Sequence, residues 1–160
     1  MEVHKGRYFA VCCTSKNTAD AATKILQAQD TRFQFIVVIR DLDETYTEIS
    51  SPPVSDFDPP FAGQTAKECW QTLSAMTSRT KSDLDTELFV ILDERSSQDD
   101  SALIVLVLQD DGKSDPKIET VRVDLKLVSD ILPTWAVKGD DMPDLQAEAE
   151  RTDDGVCREG

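Results

Sequence analysis

Glu87-Leu88-Phe89-Val90-Ile91-Leu92, Ala102-Leu103-Ile104-Val105-Leu106-Val107-Leu108 and Ile118-Glu119-Thr120-Val121-Arg122-Val123-Asp124 are three apolar, β-branched runs of strand length in close succession. Their separators, Asp93 to Ser101 and Gln109 to Lys117, are rich in Asp, Ser and Gly, the residues that turn a chain. Neither separator is long enough for a crossover helix, so the three strands form an antiparallel meander.

Upstream lie two more strands. Tyr8-Phe9-Ala10-Val11-Cys12-Cys13 is apolar almost throughout, as in a strand buried on both faces, and Phe33 to Ile39 is aromatic and β-branched. Between them Thr18 to Gln29 puts Ala21, Ala22, Ile25 and Leu26 on one helical face, with Ser15 or Asn17 as its cap. Thr65-Ala66-Lys67-Glu68 is a capping box opening a helix to about Thr77, with Cys69, Leu73 and Met76 on its apolar face and Trp70 beside them. After the meander, Asp124 caps a short helix through Leu132 that Pro133 stops, and Met142-Pro143 opens a last helix reaching about Arg151. The class is α/β (or α+β): one domain over residues 1–160, with a mixed five-stranded sheet and helices packed on its faces.

Two segments stand outside this pattern. Asp41 to Pro60 is a long acidic loop with two proline pairs, of the length that forms lids or stays irregular, and residues 152–160 are a short acidic tail. The 160 residues are 39% hydrophobic, enough for one core. Lys and Arg number 17 against 31 Asp and Glu, a net charge of −14, which argues against nucleic acid and against an anionic membrane as partners. No run approaches the roughly 18 apolar residues of a membrane span, and the first apolar run is too short for a signal sequence. Cys12, Cys13, Cys69 and Cys157 have no metal or disulfide spacing, so the expectation is a reduced, cytoplasmic protein with thiols as apolar filler.

Tyr8-Phe9-Ala10-Val11, Thr18-Ala19-Asp20-Ala21-Ala22, Phe61-Ala62-Gly63-Gln64-Thr65, Glu87 to Asp93, Val121-Arg122-Val123 and Asp153-Asp154-Gly155-Val156-Cys157-Arg158 together resemble, in the same order, an uncharacterised family, domain of unknown function 6924. The likeness spans most of the chain through short motifs. That family commonly ends in Asp-Gly-Val-Phe-Arg-Gly. Here Cys157 replaces the aromatic residue, Glu159 precedes Gly160, and the 41–60 stretch is longer than the family's. The resemblance implies a fold and carries no chemistry.

The motifs of nucleotide enzymes, serine hydrolases and zinc proteins are absent from the sequence, and no cofactor is implied. His4 precedes the first strand on a terminus that would position a base poorly. Asp41, Asp43 and Glu44 follow the second strand and Asp93 and Glu94 the third. If those strands are parallel neighbours, the carboxylates converge at the strand ends where open α/β sheets bind ligands, as an Mg²⁺ or Ca²⁺ site or an acid–base pair. The plainer reading is that they keep an acidic loop solvated. Phe57, between Asp56 and Asp58, and Trp135, after Pro133, are candidate ligand-binding walls; core packing is the alternative for each, as it is for Phe61 and Trp70. Cys12, Cys13 or Cys69 would act as a nucleophile only with a base or cation nearby, and Lys16 is the nearest in sequence.

Two functions fit. One is a small acidic binding or protein-interaction domain, steered by charge to a protein or a small-molecule ligand, with eight acids against Arg151 and Arg158 in residues 139–160. The other is a cofactor-free enzyme of isomerase or cyclase type, with Asp41, Asp43 and Asp93 as acid–base groups in a pocket under the 41–60 loop and Phe57 and Trp135 as walls.

Overall fold

A computed structural model describes residues 8–30, 34–109 and 115–158; His4, Phe33 and Glu159 lie outside the described residues. The elements run β1 (Tyr8–Cys13), α1 (Ala19–Ala28), β2 (Ile36–Val38), α2 (Ala66–Thr80), β3 (Leu84–Leu92), α3 (Glu94–Asp99), β4 (Ser101–Leu108), β5 (Lys117–Asp124), a 3-10 turn (Leu125–Leu127), α4 (Val128–Lys138) and α5 (Met142–Glu150). They build one mixed sheet in the order β2-β1-β3-β4-β5. β1 pairs parallel with β2 and with β3, and β3-β4-β5 is the antiparallel meander that the short separators require.

Strand alternation divides the core into two faces. Phe9, Val11, Cys13, Val90, Ile104 and Val123 meet α1, α4 and α5, through Ile25, Leu132, Trp135 and Met142 among others. Ala10, Cys12, Ile39, Phe89, Ile91 and Val105 meet Cys69, Leu73 and Met76 of α2, with Tyr46 from the long loop and Phe61 just after it. Cys12 and Cys13 therefore serve opposite faces, and the four cysteine thiols are buried without a disulfide.

The capping box of α2 is present: the Thr65 side chain accepts from Glu68 N at 3.2 Å, and Glu68 Oε1 accepts from Thr65 N at 3.0 Å. Elsewhere the boundaries move. The N-cap of α1 is Thr18, in place of Ser15 or Asn17; its hydroxyl donates to Ser15 O at 3.2 Å and leaves the helix without a side-chain cap. The β3–β4 separator is more than a turn, since Asp93 caps the six-residue α3 within it. Pro133 does not stop a helix but lies inside α4. A proline there removes one hydrogen bond, at a cost of about 3 kcal/mol. Burial of Val128 and Leu132 before it and Trp135 after it holds the helix together across that gap.

The 41–60 loop has no helix or strand, yet it is tied down along its length. The Tyr46 hydroxyl accepts from Arg40 N and Asp41 N, each at 3.0 Å, and donates to Asp41 O. Asp83 N donates to Tyr46 O, and Tyr46 N donates to Ser82 Oγ, fixing the loop to the start of β3. Ser50 pairs with β2 on both sides, its N–H to Ile36 O and its Oγ accepting from Val38 N. Val54 N reaches Thr23 Oγ1 on α1, and Phe61 is fully buried. Removing the hydroxyl by Tyr46→Phe orphans two loop N–H groups. Urea unfolding should show a loss of about 1–3 kcal/mol, and limited proteolysis should cut faster between residues 41 and 60.

Candidate functional site

The strand order settles the first question about the acidic candidates. β2 and β3 are not neighbours, because β1 stands between them. Two strand spacings, about 10 Å, separate their ends. Asp41 Oδ1 closes a local turn by accepting from Asp43 N at 2.7 Å, and Asp43 pairs with Arg79 at the end of α2, N···O 3.3 Å. Asp93 sits at the other flank of β1 and pairs with Arg122 of β5. Asp43 and Asp93 are thus held by different cations, Asp41 is held by the local turn, and the strand order keeps Asp41 and Asp43 apart from Asp93. Among the described residues, no three His, Cys, Asp or Glu side chains gather in a way that could hold a metal ion.

Asp93 belongs to a charged lattice at one end of the sheet. Its carboxylate caps α3 through Ser96 and takes both terminal nitrogens of Arg122, whose NH1 also donates to Ser101 Oγ at 3.1 Å. Ser101 donates to Asp99, which Arg95 Nε reaches at 2.6 Å, and Arg95 also donates to Asp154 O. Arg158 joins the lattice to the end of the fold, donating to Asp99 O at 2.9 Å, Asp124 Oδ2 at 3.0 Å and Asp154 Oδ2 at 2.9 Å. Residues 156 and 157 are buried under it, and Cys157 pairs with Val123 at the β5 edge. Burial alone would raise the Asp93 carboxyl, but Arg122 and Ser96 hold it below its ordinary value. Asp99 is lowered in the same way, burial being outweighed by Ser101 and Arg95. A carboxylate so saturated with donors makes a poor base.

The thiols are equally unreactive. Burial pushes Cys13 up to about 11 and Cys69 to about 12, and Cys12 well above its ordinary value. All three stay protonated at neutral pH, and a protonated thiol is a weak nucleophile.

Trp135 and Phe57 line separate concavities. Phe57 packs partly against the α1/α4 side of the core and forms a shallow hollow with Lys16, Asn17, Asp56 and Asp58. Trp135 is buried to 6% exposure and walls a cleft of about 370 Å³ between α4 and the sheet. Its other walls are Phe9, Phe35, Leu88, Leu106 and Pro133, with Asp85 and Glu87 at the side and Val137 at the lip. The cleft exists because β3 bulges. Register jumps from Phe9↔Asp85 to Val11↔Val90, so five residue steps of β3 lie beside two of β1. The Asp85 carboxylate stabilises the bulge by accepting from Glu87 N at 2.8 Å and Leu88 N at 3.2 Å. Val137 is 83% exposed; the exposed Lys138 follows it, and beyond Gly139 come the exposed Asp140, Asp141 and Asp144.

Sequence reasoning missed Arg122, the bulge at Asp85 and the anchor Tyr46. The only signal for Tyr46 was its isolation as the one aromatic residue between Arg40 and Asp56. Asp85 is hidden because an aspartate after Leu84 reads as a connector and delays the apparent start of the strand to Glu87.

The lowered carboxyls at Asp93 and Asp99 fix the sign of an acid dependence. A depressed folded-state value contributes stability above the unfolded value, near pH 4, and that contribution is lost as pH falls through the lower folded value. Thermal melts from pH 6 to pH 2 should show the melting temperature falling below about pH 4. Asp93→Asn should flatten that limb while lowering stability at pH 7.

Set beside known proteins, the chain matches no family model, no curated protein and no solved structure.

Proposed function

We propose that this protein is a non-catalytic binding module that takes an apolar side chain of a positively charged partner into the cleft beside Trp135. The observation that carries this reading is the cleft itself. It is floored by aromatic and aliphatic walls, and it opens beside Val137, one of two large apolar residues exposed among those described. A monomer gains nothing by leaving such a residue in water next to an apolar hollow, and aromatic-lined hollows are where binding energy concentrates. The exposed acids that begin α5, and the net charge of −14, supply attraction for a cationic partner.

Acid–base catalysis by Asp41, Asp43 and Asp93 draws no support from the geometry, since Asp43 and Asp93 are taken up by Arg79 and Arg122, Asp41 closes a local turn, and β1 separates the two ends. Four buried thiols without disulfides suit a reducing compartment, which supports a cytoplasmic location. Kinship with domain of unknown function 6924 rests on the segments quoted above and adds no activity to this reading.

Val137→Lys tests the reading without disturbing the core. A cation in the last turn suits the helix dipole, so the melting temperature should hold within a few degrees. Native mass spectrometry of the protein from its own cells should show a retained basic partner. The variant should weaken that complex by about tenfold or more, and raising salt from about 50 to 150 mM should weaken it further. Binding indifferent to both changes removes this reading.

A further inference from the structure

The concave side of the long loop carries a second site. Because Tyr46, Ser50 and Val54 are each hydrogen-bonded to a different part of the fold, residues 38–54 form a fixed surface and not a flap. They line an open hollow of about 390 Å³, within the range of small-molecule sites. Its lining is polar and two-signed, with Arg40, Glu44 and Glu48 among the hydroxyls of Thr45, Thr47 and Ser51.

Arg40 is the informative residue. Arg79, Arg95, Arg122, Arg151 and Arg158 each pair with a carboxylate, whereas the Arg40 guanidinium has none among the described residues. Among the described arginines that is an exception, and it falls where two glutamates line the same hollow. Arg40 forms no ion pair with either glutamate, although all three line the one hollow. A guanidinium presents a planar fork that matches a carboxylate, and a glutamate matches an ammonium group.

We infer that this cavity binds a small zwitterion of the α-amino-acid class, its carboxylate on Arg40 and its ammonium on Glu48, with Glu44 adding negative potential beside it. Free amino acids carry both charges on groups bonded to the same carbon of one small molecule, which a residue inside a peptide does not. This site is independent of the Trp135 cleft.

The test uses the full chain. Common amino acids are screened in pools by saturation-transfer NMR, and hits are titrated by calorimetry alongside their amide and N-acetyl derivatives. The free zwitterion should bind, and each blocked form should bind at least about tenfold more weakly, the lower end of what a lost charge-assisted hydrogen bond removes. Arg40→Gln should erase the difference between acid and amide, and Glu48→Gln the difference between free and acetylated amine. Both side chains are exposed and neither has an ion pair among the described residues, so each variant should melt with the wild type. Absence of binding by every amino acid at about 10 mM, or equal binding by wild type and Arg40→Gln, overturns the inference.

Discussion

The whole architecture hangs on the burial of β1 on both faces and along both edges. Five of its six residues are buried, and parallel ladders flank it on either side. A strand so placed has no solvent contact to spend on polar residues, which is why its sequence is nearly continuous in Phe, Ala, Val and Cys. It also forces the chain to pass twice over the sheet. The first passage, through α1, reaches β2 on one side; the second, through the long loop and α2, reaches β3 on the other. Each passage covers one face, and the two core clusters follow from that.

This placement also dictates where ligands can and cannot sit. With β1 in the middle, the carboxylates after β2 and those after β3 are kept apart, so no acidic pair forms across the sheet end. The end of β3 is instead filled by the Asp93–Arg122 contact and the lattice leading to Arg158. Such a lattice fixes geometry more than it stabilises, because desolvation offsets much of the attraction when charges are partly buried. Here it orients α3 and closes the β5 edge with the segment around Cys157. Gln146 covers another part of that edge by donating to Thr120 O. The β2 edge is covered in the same manner by Ser50. A sheet whose edges are occupied by its own chain resists edge-to-edge association.

What could be read in advance, and what could not, divides along the range of the interactions. Strand existence, the meander and the capping box at Thr65 depend on neighbours within a few residues, and the sequence pattern carries them directly. Strand order does not: nothing in Phe33 to Ile39 or Glu87 to Leu92 says that β1 lies between them, and the convergence of Asp41, Asp43 and Asp93 depended on that one unknown. Pro133 misleads for the same reason, since its local preference is overridden by the burial of Leu132 and Trp135. The 41–60 stretch reads as irregular and is irregular. Its order comes from single long-range hydrogen bonds, at Tyr46, Ser50 and Val54, that no periodicity records.

The concavities beside Trp135 and Arg40 arise from two departures from regular structure, the β3 bulge and the long loop. A regular β3 would close against β1 and fill the space before Trp135; a tight connection after β2 would leave nothing around Arg40. Each departure is fixed by specific hydrogen bonds, Asp85 to the bulge backbone and Tyr46 to the loop backbone. A bulge left unsupported would slip into register, and a loop left untied would collapse or sample many shapes. That the chain places a carboxylate and a phenol where they hold these irregularities open is the physical ground for assigning ligands to both hollows.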